Sequence, residues 1–102
     1  MSKYHAKRTW SNLLNRWFDS KGECQHGEEL HLRALAGEIT DLQHQVRFIL
    51  CKEPRVSITV DFAYKENGIQ VHEDFKGLET REFRVKRIWL EKQEGIRINI
   101  VH

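Results

Sequence analysis

The chain of 102 residues has few cysteines and no long apolar run, whereas many cysteines or long apolar runs are the sequence features of many secreted and membrane proteins. Its two cysteines, Cys24 and Cys51, are too few for a disulfide-stapled scaffold, so we expect free thiols in a reducing compartment. No apolar run approaches the ~20 residues that a membrane-spanning helix needs. No charged-then-apolar leader opens the chain either. These features predict a cytoplasmic protein with no membrane partner.

Proline and net charge are also scarce. The single proline, Pro54, marks one turn, and the net charge of +2 is too small to indicate nucleic-acid binding by itself. Charged residues make up 31% of the chain and hydrophobic residues 39%, which is typical of a globular protein with a thin core. The length accommodates one domain, over residues 1–102, and is too short for two.

The positive charge is concentrated in two clusters. A basic N-terminal arm at residues 1–9 contains Lys3, His5, Lys7 and Arg8. A second cluster consists of Arg81, Arg84, Lys86 and Arg87. Either cluster could neutralise DNA phosphates, or could simply be a solvated surface.

The N-terminal third of the chain carries two helical patterns. The first covers residues 10–18 and has its apolar side chains at helical spacing, namely Trp10, Leu13, Leu14, Trp17 and Phe18. We predict a short helix there that packs on the core or, as an alternative, contacts a second copy. Ser20 and Glu23 then form a capping box, and the helix that it opens should run to about Ala36, with Gly37 as its stop.

The rest of the chain predicts strands around one more helix. Apolar residues alternate over 39–51, over 55–64, where we expect all of them to face one way, and over 69–76, where we expect Ile69 to face inward. Helical spacing returns from Glu79 to about Lys92, and a last strand contains Ile96, Ile98 and Ile100. After the short first helix the order is αβββαβ. The sequence therefore predicts an α+β fold in which helices flank a small mixed sheet.

A hairpin turn at Asn67-Gly68 brings two carboxylates together. A two-residue loop pairs Glu66 with Ile69, and the same register places Asp61 opposite Asp74, with Cβ atoms roughly 4.5–5.5 Å apart. Directly opposed like charges destabilise a sheet, so a cation is expected beside them. Lys76 lies on the same face and supplies part of that charge, and Mg²⁺ could supply the rest. The alternative is that Lys76 only bridges two surface acids.

Glu23 could add a third carboxylate to this group. Gly27 falls on the same helical stripe and would let the helix approach the sheet closely, which would bring Glu23 toward the acids. The capping box by itself also explains a glutamate at this position.

The ordered motifs resemble those of a known nuclease family. They are Ser20-Lys21-x-Glu23, Gln45-Val46-x-Phe48, Asp61-Phe62 and Glu73-Asp74-Phe75-Lys76-Gly77 with Thr80 shortly after. Together, over about residues 3–101, they resemble small phage- and prophage-encoded endonuclease-like proteins of the PD-(D/E)xK superfamily. That superfamily has a restriction-endonuclease-like αβββαβ core and includes Holliday-junction resolvases.

This resemblance implies a role for each matching residue. Asp61 and Asp74 would be metal ligands, with Glu23 as the helix-borne acid that completes the metal shell directly or through water. Lys76 would be the catalytic lysine, and Gln45 an auxiliary site residue. The sequence departs from the pattern at Gly22, which is a poor helix former just inside the helix. It also departs at Val60, where the superfamily name has proline, and in the short link between Phe48 and Asp61.

The function expected from this resemblance is a DNA endonuclease that needs Mg²⁺, with Mn²⁺ as a substitute. It would hydrolyse phosphodiester bonds in branched or recombination-intermediate DNA, as a homodimer in the bacterial cytoplasm and without a small-molecule cofactor. The alternatives are a non-catalytic DNA-binding or regulatory protein with the same fold, and an exonuclease or nicking enzyme on simple duplex. His72 could contact phosphate, whereas Cys24, His26 and His31 lack a recognised zinc spacing.

Overall fold

The computed structural model describes residues 6–102 as a four-stranded mixed sheet flanked by two helices and preceded by a small hairpin. The elements are β1 Thr9–Ser11, β2 Arg16–Phe18, α1 Lys21–Leu35, β3 Thr40–Cys51, β4 Val56–Glu66, β5 Ile69–Phe75, α2 Arg81–Glu94 and β6 Ile98–Val101. From α1 onward this confirms the predicted αβββαβ order and the α+β fold. Lys3 and His5 of the basic arm lie outside the described residues. No helix within residues 6–102 is long and apolar enough to cross a membrane.

The predicted helix over residues 10–18 is wrong, because this segment forms the β1–β2 hairpin. Trp10 pairs across the hairpin with Trp17, and Asn15 takes a φ of 55°, a left-handed conformation that no α-helix contains. Ser11 Oγ accepts a hydrogen bond from Leu14 N within the turn and so competes with helical hydrogen bonds. The helical spacing of the apolar residues is therefore produced by two short strands separated by a four-residue turn.

The helix α1 begins at the residue that its predicted cap indicates, whereas α2 begins two residues later than predicted. Ser20 Oγ accepts a hydrogen bond from Glu23 N at the start of α1, and Gly37 follows the helix with a φ of 78°. Thr80 Oγ1 accepts a hydrogen bond from Phe83 N, so α2 starts at Arg81 rather than at Glu79.

The sheet has the strand order β3-β4-β5-β6, with β6 parallel to β5 and the other pairs antiparallel. Asn67 and Gly68 form the turn between β4 and β5 with φ values of 53° and 77°. The backbone register runs from Glu66–Ile69 to Phe62–Glu73, as predicted. The ladder stops there, so among the described residues the backbone pairs predicted beyond it do not form.

Each helix covers its own face of the sheet. The α1 cluster contains Cys24, Leu30, Phe62 and Tyr64, with Val71 and Phe75 packed against it. The α2 cluster contains Ile58, Val60, Leu90 and Ile98, with Ile100 packed against it. Ile98 and Ile100 lie beside His72 and Asp74, which alternate along β5 with Val71 and Phe75. Because neighbouring residues of a strand point to opposite faces, the two clusters lie on opposite faces.

The strand β4 changes faces at Asp61. Val60 packs in the α2 cluster and Phe62 in the α1 cluster, although residues two apart in a regular strand share a face. Our expectation that the alternating apolar residues of β4 all face one way was therefore wrong, because within the described residues Asp61 pairs with neither β3 nor β5 and the regular alternation is interrupted there. Ile69 was also expected to face inward, but it is 67% exposed beside the hairpin turn.

Two glycines let α1 lie close to the sheet. A Cβ added at Gly27 would come within 2.9 Å of Phe18 Cζ, and one added at Gly22 would come within 2.6 Å of Phe75 Cε1. Gly27 therefore has the role predicted from its helical stripe. The unexpected glycine at 22 has the same explanation, because it allows the first turn of α1 to contact the end of β5.

We expect Gly22→Ala to lower the free energy of unfolding by about 1–3 kcal/mol, because the added methyl group overlaps the Phe75 ring. Denaturant unfolding measures this, with Gln25→Ala as the control because Gln25 is exposed on the same helix. In a Phe75→Leu background, which removes the overlapping ring atoms, Gly22→Ala should cost less. An equal cost in both backgrounds would show that the ring is not the cause.

Candidate active site

The acidic residues predicted from the hairpin register meet where the β4–β5 ladder stops. Asp61 N donates a hydrogen bond to Asp74 Oδ1 at 2.9 Å, and Phe75 N donates one to Asp61 Oδ2 at 2.9 Å. Each carboxylate thus accepts a hydrogen bond from a main-chain amide of the opposite strand, either that of the other aspartate or that of the residue after it. The structure brings Asp61 and Asp74 together as predicted. The contact is made by these two amide–carboxylate hydrogen bonds and not by a backbone pair in the ladder.

Lys76 is held beside Asp74 by two contacts. Its Nζ lies 3.0 Å from Asp74 Oδ2 and 4.1 Å from the centre of the Phe83 ring. Asp74 is only 2% exposed, and its buried Oδ2 has a nearby charge but no partner with hydrogen-bond geometry within the described residues. The carboxylate therefore keeps one oxygen whose bonding capacity is not filled.

Glu23 lies in the same cleft as Asp61 and Lys76. This acid cleft has a volume of about 400 Å³, and its lining also includes Asp19, Ser20 and Thr80. Only half of the capping box forms, because the described contacts include no hydrogen bond from Ser20 N to the Glu23 carboxylate. The side chain of Glu23 is 6% exposed and is available to the cleft rather than used in the cap.

Burial and mutual repulsion raise the pKa values of two of these acids. The pKa of Glu23 rises to about 8, mainly through burial and then through the charges of Asp61, Asp19 and Asp74. The pKa of Asp61 rises to about 6, again through burial first and then through the charge of Asp74. Gln45 Nε2 donates a hydrogen bond to Asp61 Oδ1 at 3.3 Å and partly offsets this rise. Gln45 is therefore placed at the site, as predicted.

The donor set fits a hard divalent cation held by two carboxylates. Mg²⁺ prefers oxygen ligands and commonly binds proteins through one or two carboxylates while keeping several waters. Asp61 and Asp74 meet this description, and the unfilled Oδ2 of Asp74 is a natural ligand atom. Within residues 6–102 no group of three or more His, Cys, Asp or Glu side chains has the spacing of a metal site. In this geometry Glu23 therefore does not complete a direct three-ligand set.

Some residues considered from the sequence have structural partners instead. His72 packs against the Phe48 ring at 5.3 Å, and burial lowers its pKa. His26 Nε2 lies 2.8 Å from Glu73 Oε1, and Cys24 is buried in the α1 cluster. The described residues thus assemble no zinc site from Cys24, His26 and His31.

The second basic cluster is partly neutralised. Arg87 Nε bonds Glu79 Oε2 at 2.7 Å, and Lys86 Nζ lies 3.2 Å from Glu82 Oε1. Within residues 6–102, no ion pair is recorded for Arg81 or Arg84, and both are exposed.

Sequence reasoning missed a second polar cleft on the other side of Lys76. This hydroxyl cleft has a volume of about 350 Å³ and is lined by Ser57, Thr59, Thr80, Lys86 and Lys76 among others. No motif marks these residues, because they come from β4, the loop before α2, and α2 itself. No motif marks Asp19 either, which directly precedes the capping Ser20.

The chain belongs to the family described as "Protein of unknown function (DUF1064)", whose profile matches residues 1–101. The match includes the hairpin, both helices and all four strands of the sheet. No curated protein and no solved structure matches the chain. The family description names no activity, so a functional assignment must be argued from the site itself.

The raised pKa of Glu23 predicts a pH-dependent stability. Between about pH 4.5 and 8 the folded state holds a proton on Glu23 that the unfolded state releases, so the free energy of unfolding falls as the pH rises. In EDTA we expect this group to account for roughly 2–4 kcal/mol of loss between pH 5 and 9.

Chemical unfolding across this pH range tests the assignment. Glu23→Gln should flatten the curve, whereas Glu29→Gln, on the exposed side of the same helix, should leave it unchanged. Parallel curves for wild type and Glu23→Gln would show that the carboxyl titrates normally.

Proposed function

We propose that this protein is a divalent-metal-dependent DNA endonuclease of the PD-(D/E)xK type. The observation that carries the proposal is the grouping of Asp61, Asp74 and Lys76 where the β4–β5 ladder stops, with one buried oxygen of Asp74 left without a hydrogen bond. The motif order and the αβββαβ topology support the same superfamily.

The acids and the lysine have separate tasks in this proposal. Asp61 and Asp74 would hold Mg²⁺ or Mn²⁺, which when bound lowers the pKa of a water molecule and offsets negative charge on the scissile phosphate. The amides of Asp61 and Phe75 fix the two carboxylates, and Gln45 orients Asp61 from β3. These contacts hold the ligand oxygens in position before any cation arrives.

In this proposal Lys76 would contact the phosphate. Asp74 and the Phe83 ring hold its ammonium at the wall that the acid cleft and the hydroxyl cleft share. From there Nζ would donate a hydrogen bond to a phosphate oxygen or orient the attacking water, which stabilises charge that develops during hydrolysis. Glu23 faces the same space from α1 and would accept or release a proton beside that water.

The two clefts suggest a path for a DNA strand past Lys76. Phosphates are commonly bound by lysine, arginine, serine and threonine side chains and by main-chain amides at helix starts. Ser57, Thr59 and Thr80 provide such groups in the hydroxyl cleft, whereas Lys86 there is paired with Glu82. Arg81 and Arg84 extend the positive charge along the first turns of α2. Within the described residues they form no ion pair. Branched DNA, cut by a homodimer, is the substrate that the motif resemblance suggests.

The main test is cleavage of a panel of junction, flap, single-stranded and duplex DNAs. With Mg²⁺ or Mn²⁺ we expect cutting of at least one substrate, and none in EDTA. Asp74→Asn should reduce cleavage by orders of magnitude while DNA binding survives, because it removes a metal ligand and not a phosphate contact.

The matched control for this test is Asp41→Asn. It changes the same group on β3, where Asp41 is paired with Lys65, and should cut like the wild type. DNA binding without cleavage of any substrate by the wild type would instead support a non-catalytic DNA-binding protein. Normal cleavage by Asp74→Asn would remove Asp74 from the site.

A second test concerns the α2 cluster. The double variant Arg81→Ala, Arg84→Ala should weaken DNA binding similarly for all sequences and reduce the slope of log K against log salt by about one per residue. Lys92→Ala, Arg97→Ala removes the same charge at the end of α2 and the start of β6, far from the clefts, and should change the slope little. Equal slopes for the wild type and the Arg81/Arg84 variant would place the DNA on another surface.

A further inference from the structure

The β1–β2 hairpin presents an aromatic face that neither core cluster uses. Trp10 is 40% exposed and Trp17 is 52% exposed, and their rings meet edge to face with centroids 5.4 Å apart. The other face of the hairpin is buried: Phe18 belongs to the α1 cluster, and Ser11 Oγ donates a hydrogen bond to Glu28 Oε2 at 2.6 Å. The hairpin is therefore fixed on α1 with its tryptophan pair turned outward.

Both ends of the hairpin adjoin the acid cleft. Ala6, which precedes β1, and Asp19, which follows β2, line that cleft together with Glu23 and Asp61. Trp10 follows Ala6 by four residues, and Trp17 precedes Asp19 by two. In extended chain these separations span roughly 14 Å and 7 Å, so both tryptophans lie close to the cleft wall. A molecule seated in the cleft could therefore also reach the two rings.

The charges of the hairpin indicate what covers this face. Residues 6–18 contain the basic residues Lys7, Arg8 and Arg16 and no acidic residue. The Arg8 guanidinium lies over the Trp17 ring, with Cζ 5.0 Å from the centroid. A second copy docked here face to face would bring these positive charges together, whereas a polyanion would neutralise them. Arginine beside exposed aromatic rings is typical of surfaces that bind single-stranded nucleic acids.

We propose that Trp10 and Trp17 form a stacking platform for unpaired bases of the DNA strand that enters the acid cleft. This inference rests on the proposed nuclease function and specifies its substrate class, which is DNA with a single-stranded or splayed segment beside the cut. Base faces inside a duplex are covered by their neighbours, so the platform selects unpaired nucleotides. Lys7, Arg8 and Arg16 contribute sequence-independent attraction to the phosphates.

Equilibrium binding in EDTA tests the platform without cleavage. The probes are a labelled single strand, a splayed-arm fork and a blunt duplex of the same sequence. The double variant Trp10→Leu, Trp17→Leu should bind the single strand and the fork at least about tenfold more weakly, since stacking on one base is worth roughly 5- to 150-fold in affinity. Binding of the blunt duplex should change less than twofold. Trp10→Phe, Trp17→Phe retains aromatic rings and should recover most of the affinity.

Leu35→Ala is the control for loss of an exposed apolar side chain, because Leu35 is 71% exposed at the far end of α1. It should bind all three probes like the wild type. Melting curves establish that each variant is folded.

A second measurement keeps both tryptophans of the hairpin. In Trp89→Phe the remaining tryptophans are Trp10 and Trp17, so their fluorescence reports on the platform alone. A single strand should quench this fluorescence, and an abasic strand of equal length, with the same phosphates and no bases, should not.

The outcomes separate this inference from the proposed function. Equal quenching by the abasic strand, or unchanged fork binding by the leucine variant, overturns the stacking platform. A leucine variant that turns a dimer into a monomer and keeps its DNA affinity also overturns it and assigns the face to a second copy. If the fluorescence and binding results are as expected but the wild type cuts no DNA with Mg²⁺, the platform stands and the nuclease proposal fails.

Discussion

The exchange of hydrogen bonds between Asp61 and Asp74 is the interaction on which the rest of the structure depends. The buried carboxylate of Asp74 and the half-buried one of Asp61, side by side, are unfavourable unless they are paired or hydrogen-bonded. Here the Asp61 and Phe75 amides bind one oxygen of each acid, and the Lys76 ammonium lies beside Asp74. Because these amides bind carboxylates, the β4–β5 ladder stops. Val60 and Phe62, on either side of this interruption, pack into cores on opposite faces of the sheet.

The same arrangement leaves the site with excess negative charge. Glu23 approaches the pair from α1, and burial together with the neighbouring carboxylates raises its pKa to about 8. Gly22 and Gly27 make this approach possible, because a side chain at either position would collide with an aromatic ring. A bound cation would relieve the repulsion and fill the free bonding capacity of Asp74 Oδ2. In the absence of a cation, the burial of Glu23 therefore lowers the stability of the fold as the pH rises toward 8.

The hairpin and α2 flank this acidic centre from two sides. The hairpin offers exposed tryptophans with arginine beside them, and the hydroxyl cleft beyond Lys76 offers serine, threonine and lysine side chains. In the proposed function one DNA strand passes from the tryptophan platform through the acid cleft to the start of α2. Unpaired bases contact the first surface, and phosphates contact the other two.

The sequence by itself determined the αβββαβ order, the N-terminal cap of α1 and the register that brings Asp61 to Asp74, since these follow from local rules of periodicity, capping and turn geometry. Only the tertiary structure decided that residues 10–18 form a hairpin. The same spacing of apolar residues along the sequence is compatible with one helix and with two short strands joined by a turn. It also decided the change of face at Asp61, the need for Gly22 and the neutralisation of Arg87 by Glu79. Most of these depend on contacts between segments distant in the chain, which a pattern within one segment does not record.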